Sequence, residues 1–422
     1  MHICQTLFRD ALLGSTLAVA ALTPAAGASL SRADWDRIRA ATGNHSSAVQ
    51  SGAASGFTAA RPPATYTVLH DFAGPPSDGA GSGAEVTLDS AGNIYGTTDY
   101  GGAYGTNGYG TIFKIATGGA ETLLHSFGGT GDGTTPDGAV TITSAGNMYG
   151  TTIGGGSSGN GVIWKLVAGG TYTVLHNFTA DESNFARGRL IQDRKGNFYG
   201  SDLFGGAAGD GTVFKFNARG KVSVLHTFSG TADGEFPEHG VVSDKAGNLY
   251  GVTAFGGADD NGTIYEIAKD GTFTTLYTFT GGADGGFPYG GLAIDRDGNL
   301  YGSADDGGSD GVGTVFELAP GGTLTTLYNF TDGTDGANPQ GDMLRVGKGL
   351  YSAAASGGDP TCRCGGIYEI TAKGKEKMLQ AFTPTTGNVY SAGLTPSNGV
   401  FYGTTQYGGN NDNGVVFSLT KK

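Results

Sequence analysis

Along residues 65–420 the apolar and aromatic positions fall into short β-type segments broken by Gly, Asn and Asp, and the segments recur in a fixed order. One stretch shows all four cleanly: GGLAID, NLYGSA, GTVFEL and TLTTLYNF, designated a, b, c and d. The b segment carries an aromatic dyad, Tyr-Gly or Tyr-Ser, at Tyr95, Tyr149, Tyr199, Tyr250, Tyr301, Tyr351 and Tyr402, spaced 54, 50, 51, 51, 50 and 51 residues apart. Tight turns such as DRDGN at 295–299 join a to b, and others such as PGG at 320–322 join c to d. Gly and Asn suit them because they tolerate the positive φ of short hairpins. The d-to-a and b-to-c connections are longer, about ten residues each.

Four antiparallel strands in each repeat, seven times over, predict an all-β fold: a seven-bladed β-propeller with one four-stranded blade per repeat. A parallel solenoid is the weaker alternative, since its coils need only about 20–30 residues. Segment a is small (GAEVTL, GAVTI, GVVSD), as strands crowding a central channel must be. Bulk sits in c, at Phe113, Trp164, Phe214, Tyr265, Phe316, Tyr368 and Phe417, and in d, at Phe72, Phe127, Phe178, Phe228, Phe279, Phe330 and Phe382. Such rings fill the widening wedge between blades, each worth about 2–3 kcal/mol when buried. The phase is informative. A lone d segment, TYTVLHDF, opens the repeats at 65–72, and the last copy stops after its c segment, GVVFSL at 414–419. The N-terminal strand is therefore expected to become the outer strand of the seventh blade and close the ring, removing exposed edges.

Composition narrows the function. Glycine contributes 80 of 422 residues, but no unbroken Gly-X-Y run exists, so collagen is excluded. With 38 acidic against 25 basic side chains the formal charge is −13, which argues against nucleic acid as a partner. Arg9, the apolar stretch 11–22, and Ala26-Gly27-Ala28 read as a signal peptide over 1–28, cleaved before Ser29. Residues 29–64 read as a flexible leader and 65–420 as the propeller. No segment offers the roughly 20 apolar residues of a spanning helix, so a secreted, extracellular or periplasmic monomer is expected.

The elements GNIYGTTDYGG, GTIFKIATGG and YTVLHDF, recurring in order, make the chain resemble the GloVer tandem-repeat proteins. That resemblance implies an extracellular repeat protein of undefined biochemical role. The a and b segments also resemble NHL-type propeller repeats more loosely, which bears on the fold alone.

Candidate chemistry is sparse. His70, His125, His176 and His226 share one d position, which later copies fill with Tyr277, Tyr328 and Gln380; outer strands hold these too far apart to converge on one ion. His239, beside Glu238, is a weak acid/base candidate. The Asp-x-x-Gly-Asn turns lack the length and downstream Glu of a calcium loop. Cys362 and Cys364 are a disulfide candidate. In a four-stranded blade the d–a and b–c loops share one face, and their acidic and aromatic residues make it the candidate ligand face: Tyr100, Asp132, Phe204, Asp233, Phe255, Asp284, Asp305, Asp335 and Tyr407. A binding or scaffold module is expected, with a glycan or protein ligand and no resident cofactor, a calcium ion being the one candidate cation. The alternative is a polysaccharide hydrolase or lyase using Asp284 and Asp335 at the channel mouth. Binding is favoured because no singular, non-repeating catalytic set stands out around the axis.

Overall fold

The computed structural model describes residues 64–129, 131–388 and 393–421. The expected signal peptide at 1–28 and, apart from Ala64, the leader at 29–64 lie outside the described residues. Seven antiparallel sheets follow one another along the chain and form a seven-bladed β-propeller; no helix occurs among the described residues. Blade five is typical: a at Ala293–Ile294, b at Leu300–Ala304, c at Thr314–Leu318 and d at Leu324–Asn329, paired in that order. Blade six gains a fifth strand, Ala337–Pro339, alongside its b strand.

Blade seven is closed as the repeat phase predicts. Ala64–Asp71 pairs antiparallel with Val415–Lys421, with Thr67 opposite Ser418 and Ala64 opposite Lys421. The Tyr66 ring packs against Phe382 and Phe417, and its hydroxyl reaches the Thr386 carbonyl. An otherwise open edge is thereby covered.

The core lies between blades rather than within them. Seven hydrophobic clusters fill seven wedges, each combining the c and d residues of one blade with the a, b and c residues of the next. At the heart of each wedge the phenylalanine that ends a d strand meets the c-strand ring of the following blade. Phe72–Phe113, Phe178–Phe214, Phe228–Tyr265, Phe279–Phe316 and Phe330–Tyr368 have centroids 5.0–5.4 Å apart and planes 60–70° apart. Phe127–Trp164 and Phe382–Phe417 repeat the contact at 6.4 and 5.9 Å. This is the edge-to-face arrangement that the ring quadrupole favours.

Two recurring details serve that contact. In every blade the c–d ladder slips by one residue, so that Leu69, Leu124, Leu175, Leu225, Leu276, Leu327 and Leu379 sit in a β-bulge. The bulge breaks the alternation and turns these leucines toward the wedge. The glycine of the Tyr-Gly dyad lies under the c-strand ring of its own blade. A Cβ on Gly96 would stand 2.5 Å from Phe113, and one on Gly302 2.6 Å from Phe316.

Deleting residues 64–72 removes both the closing strand and one wedge ring, so the melting temperature should fall sharply; an unchanged melt would refute closure by this strand. Gly96→Ala forces a methyl into Phe113 and should cost about 1–3 kcal/mol in denaturant unfolding. A neutral outcome would mean that the ring does not lie on the b backbone.

Candidate functional site

The a strands run from the long-loop face into the channel, and their first residues are where the repeats disagree. At one level stand Gly83, Asp137, Arg187, Glu238, Tyr289 and Gln340; two residues deeper stand Glu85, Ala139, Arg189, Gly240, Gly291, Asp342 and Gly393. Among the described residues the first level differs from blade to blade, while the deeper level repeats glycine at Gly240, Gly291 and Gly393. Arg189 Nη1 lies 2.5 Å from Glu85 Oε1, joining blades three and one. Arg187 Nε lies 2.7 Å from Asp137 Oδ2, and its Nη1 3.4 Å from Glu238 Oε2. His239 Nδ1 lies 2.7 Å from Asp342 Oδ1, which also accepts the Gly291 N–H. A non-repeating set of charged groups thus surrounds the axis: four carboxylates, two guanidiniums and an imidazole converge there, drawn from repeats about 50 residues apart.

These groups enclose a cavity of about 20 Å³, room for a water molecule, and farther along the a strands the channel widens to about 150 Å³. The wider part has an apolar wall that includes Val242, Leu292, Met343 and Leu394, with Glu85, Arg189 and Asp342 at its charged end. Burial works against an imidazolium at His239, but Asp342 and then Glu238 outweigh it and hold its pKa above the ordinary value. Burial would likewise raise Asp342, yet His239 and the Gly291 N–H hold it low. For Glu85 burial prevails over Arg189, and its pKa is raised. An imidazole held at Nδ1 by a carboxylate is oriented for proton exchange at Nε2.

The loops of the long-loop face are pinned by one device. A side chain of the d strand binds a carboxylate in the loop that follows, and the carboxylate also accepts a backbone N–H. His125 Nε2 sits 3.2 Å from Asp132, which accepts the Gly128 N–H. His226 pairs with Asp233 at 3.1 Å, Tyr277 donates to Asp284 at 3.0 Å and Tyr328 to Asp335 at 2.9 Å. Thr280 and Thr331 N–H groups complete the last two. The shared d-strand position of the histidines is thus a loop staple. Asp305 is buried, accepts Gln340 Nε2 at 2.9 Å, and is pushed up to about 7 by burial and Asp306. Tyr100 is buried in a two-residue strand, Tyr100–Gly101, and the Tyr407 backbone bridges to Asn388. Cys362 and Cys364 form a disulfide in the b–c loop of blade six.

Phe204 and Phe255 belong to something larger. Phe185, Phe204, Phe236, Phe255 and Phe287 form a chain of ring contacts at 5.1–5.8 Å across the long loops of blades three to five, and Tyr289 joins Phe255 at 6.2 Å. Phe185, Phe236 and Phe287 adopt positive φ at one shared loop position, also occupied by Thr135 and Asn338. Bulky rings there carry backbone strain that the loop must hold in place. Tyr289 also stands level with Arg187 and Glu238, so the arc borders the channel rim.

Because His239 is raised on folding, its pair with Asp342 stabilises fully below the unfolded histidine pKa of about 6.5 and is lost as pH rises through the higher folded value. Melting should decline as pH rises from about 6.5 toward that folded value, and His239→Gln should flatten the decline; an identical pH profile in the variant would contradict the pairing.

No curated protein matches the sequence significantly. Among solved structures, the fold is similar to the extracellular domain of a proposed one-component system from B. thetaiotaomicron, with a TM-score of 0.52 and 12% identity over 83% of this chain. The chain spans 40% of the length of that relative. It is also similar to a Bacteroides uniformis protein proposed as a 6-phosphogluconolactonase, with a TM-score of 0.46 and 16% identity, covering 70% of this chain and 83% of the other. The first of these likenesses bears on the fold alone. The family model described as the Gloeobacter/Verrucomicrobia repeat matches residues 39–245 and 237–422. With seven like blades behind that match, the chain belongs to the Gloeobacter/Verrucomicrobia repeat family.

Proposed function

We propose that this protein is an exported binding module that holds a neutral glycan on its long-loop face, beside the channel mouth. The aromatic arc from Phe185 to Tyr289 carries the proposal. Sugar rings present apolar C–H faces that stack on such rings, and hydroxyls that bond to carboxylates and amides like those of Glu238, Asp305 and Gln340 nearby. Loop staples support the same reading, because a face fixed before the ligand arrives loses less conformational entropy on binding. The signal-like segment at 1–28 supports export.

Hydrolysis has one observation in its favour, the non-repeating His239–Asp342 and Arg189–Glu85 pairs on the axis. Asp284 and Asp335, singled out from sequence for that chemistry, instead serve their own loops. Titration calorimetry with a panel of neutral oligosaccharides should detect binding, and Phe204→Ala and Phe255→Ala should each weaken it about tenfold, near 1.4 kcal/mol. A panel without binding, or variants that bind like the parent, would refute the glycan platform. Released reducing ends that vanish in His239→Gln would select hydrolysis instead.

A further inference from the structure

Where the closing strand meets blade one, the repeat is broken in a way that loop stapling does not require. His70, from the N-terminal strand Ala64–Asp71, pairs with Asp78 at 3.1 Å, like the other staples. Facing them from blade one is Glu121, the first residue of the strand Glu121–Ser126. The equivalent d-strand position holds Tyr66, Tyr172, Val222, Phe273 and Leu324 in other copies, and in the structure Tyr172 and Phe273 stack flat on the staple imidazoles His125 and His226. Glu121 puts a carboxylate where those rings lie. Its Oε1 is shielded from water and has no hydrogen-bond partner. One ligand atom each from His70, Asp78 and Glu121 lies within 4.8 Å of the other two.

We propose that His70, Asp78 and Glu121 form a binding site for a zinc-type divalent cation that bridges the closing strand to the first blade. One imidazole nitrogen and two carboxylates are a donor set for such an ion, with a fourth position left for water. Ligands at about 2.0–2.1 Å from a tetrahedral centre stand about 3.4 Å apart, close to the His70–Asp78 separation. Asp78 is held from behind: its Oδ2 accepts the Ala73 N–H at 2.7 Å and its Oδ1 the Gly79 N–H at 2.6 Å. Such bonds orient a ligating carboxylate. His70 and Asp78 side chains keep 19% and 10% of their exposure, so an ion can enter from solvent. The chain contains its own comparison. Glu376 occupies the same repeat position in blade six, but its staple is Tyr328–Asp335, without an imidazole. There Glu376, like Glu121, is pushed up by burial and by the facing aspartate, and its Oε1 likewise has no partner, so what sets the closing-strand site apart is the imidazole.

The test uses the full chain, stripped with chelator, dialysed, and titrated with zinc chloride by calorimetry and thermal melting. One zinc per chain is expected, raising the melting temperature by about 3–6 °C at free zinc about 100-fold above Kd. His70→Tyr and Glu121→Leu install residues that the repeat itself uses at these positions, and each should bind at least tenfold more weakly. Glu376→Leu should keep the parent response. Each variant is read as the difference between its own zinc-free and zinc-bound melts, so a change in basal stability does not obscure the result. No zinc uptake by the parent, an undiminished response in both His70→Tyr and Glu121→Leu, loss of the response in Glu376→Leu, or a shift with calcium but none with zinc would overturn the site.

Discussion

The edge-to-face contact between the phenylalanine closing one blade and the aromatic ring on the third strand of the next sets the terms for the rest of the molecule. It occurs seven times, at 5.0–6.4 Å, and all fourteen rings are buried. In six of the seven b strands glycine follows tyrosine, and there a ring of the paired c strand lies so close to the backbone that a Cβ would clash with it. Blade six has Ser352 instead, whose hydroxyl donates to the Gly341 carbonyl. The bulge in every c–d ladder adds a leucine to the same wedge.

Once the wedges are fixed, the seven a strands must converge on an axis where identical side chains would either clash or leave a void. Small residues solve most of that problem. The remaining positions are free to vary, and there Glu85, Arg189, His239 and Asp342 pair across the channel between blades that are not neighbours. Removing one member of such a pair leaves a buried charge uncompensated, so the cluster constrains itself once assembled. The long loops are under a different constraint. Their carboxylates are used internally, and beside them the arc of rings spans the loops of blades three to five.

Much of the fold was legible because its determinants are local and repeated. The Tyr-Gly dyad, the hairpin turns and the phase of the d segment each lie within one repeat, and ring closure follows from phase alone. The c–d bulge was not legible, since the leucine it displaces looks like ordinary strand alternation. Asp132, Asp233, Asp284 and Asp335 stand out as loop acids, but nothing local in the sequence ties them to their partners, the d-strand histidines and tyrosines seven residues earlier. The channel cluster was missed for the opposite reason. Its members are single residues scattered over five repeats, and only His239 with Glu238 drew notice. The available signal was disagreement: aligned at the start of segment a, the copies read Gly83, Asp137, Arg187, Glu238, Tyr289 and Gln340, the least uniform column beside a uniform one.

The closed ring is the premise on which both the axis and the loop face rest, and the pairing of Thr67 with Ser418 offers a direct probe of it. Cysteines introduced as Thr67→Cys and Ser418→Cys face each other across an antiparallel ladder, at a Cα separation suited to a disulfide. Mass spectrometry of the proteolysed protein after mild oxidation should recover the 67–418 cross-linked peptide in high yield, with a higher melting temperature than the reduced form. Two free thiols under the same conditions would contradict the account.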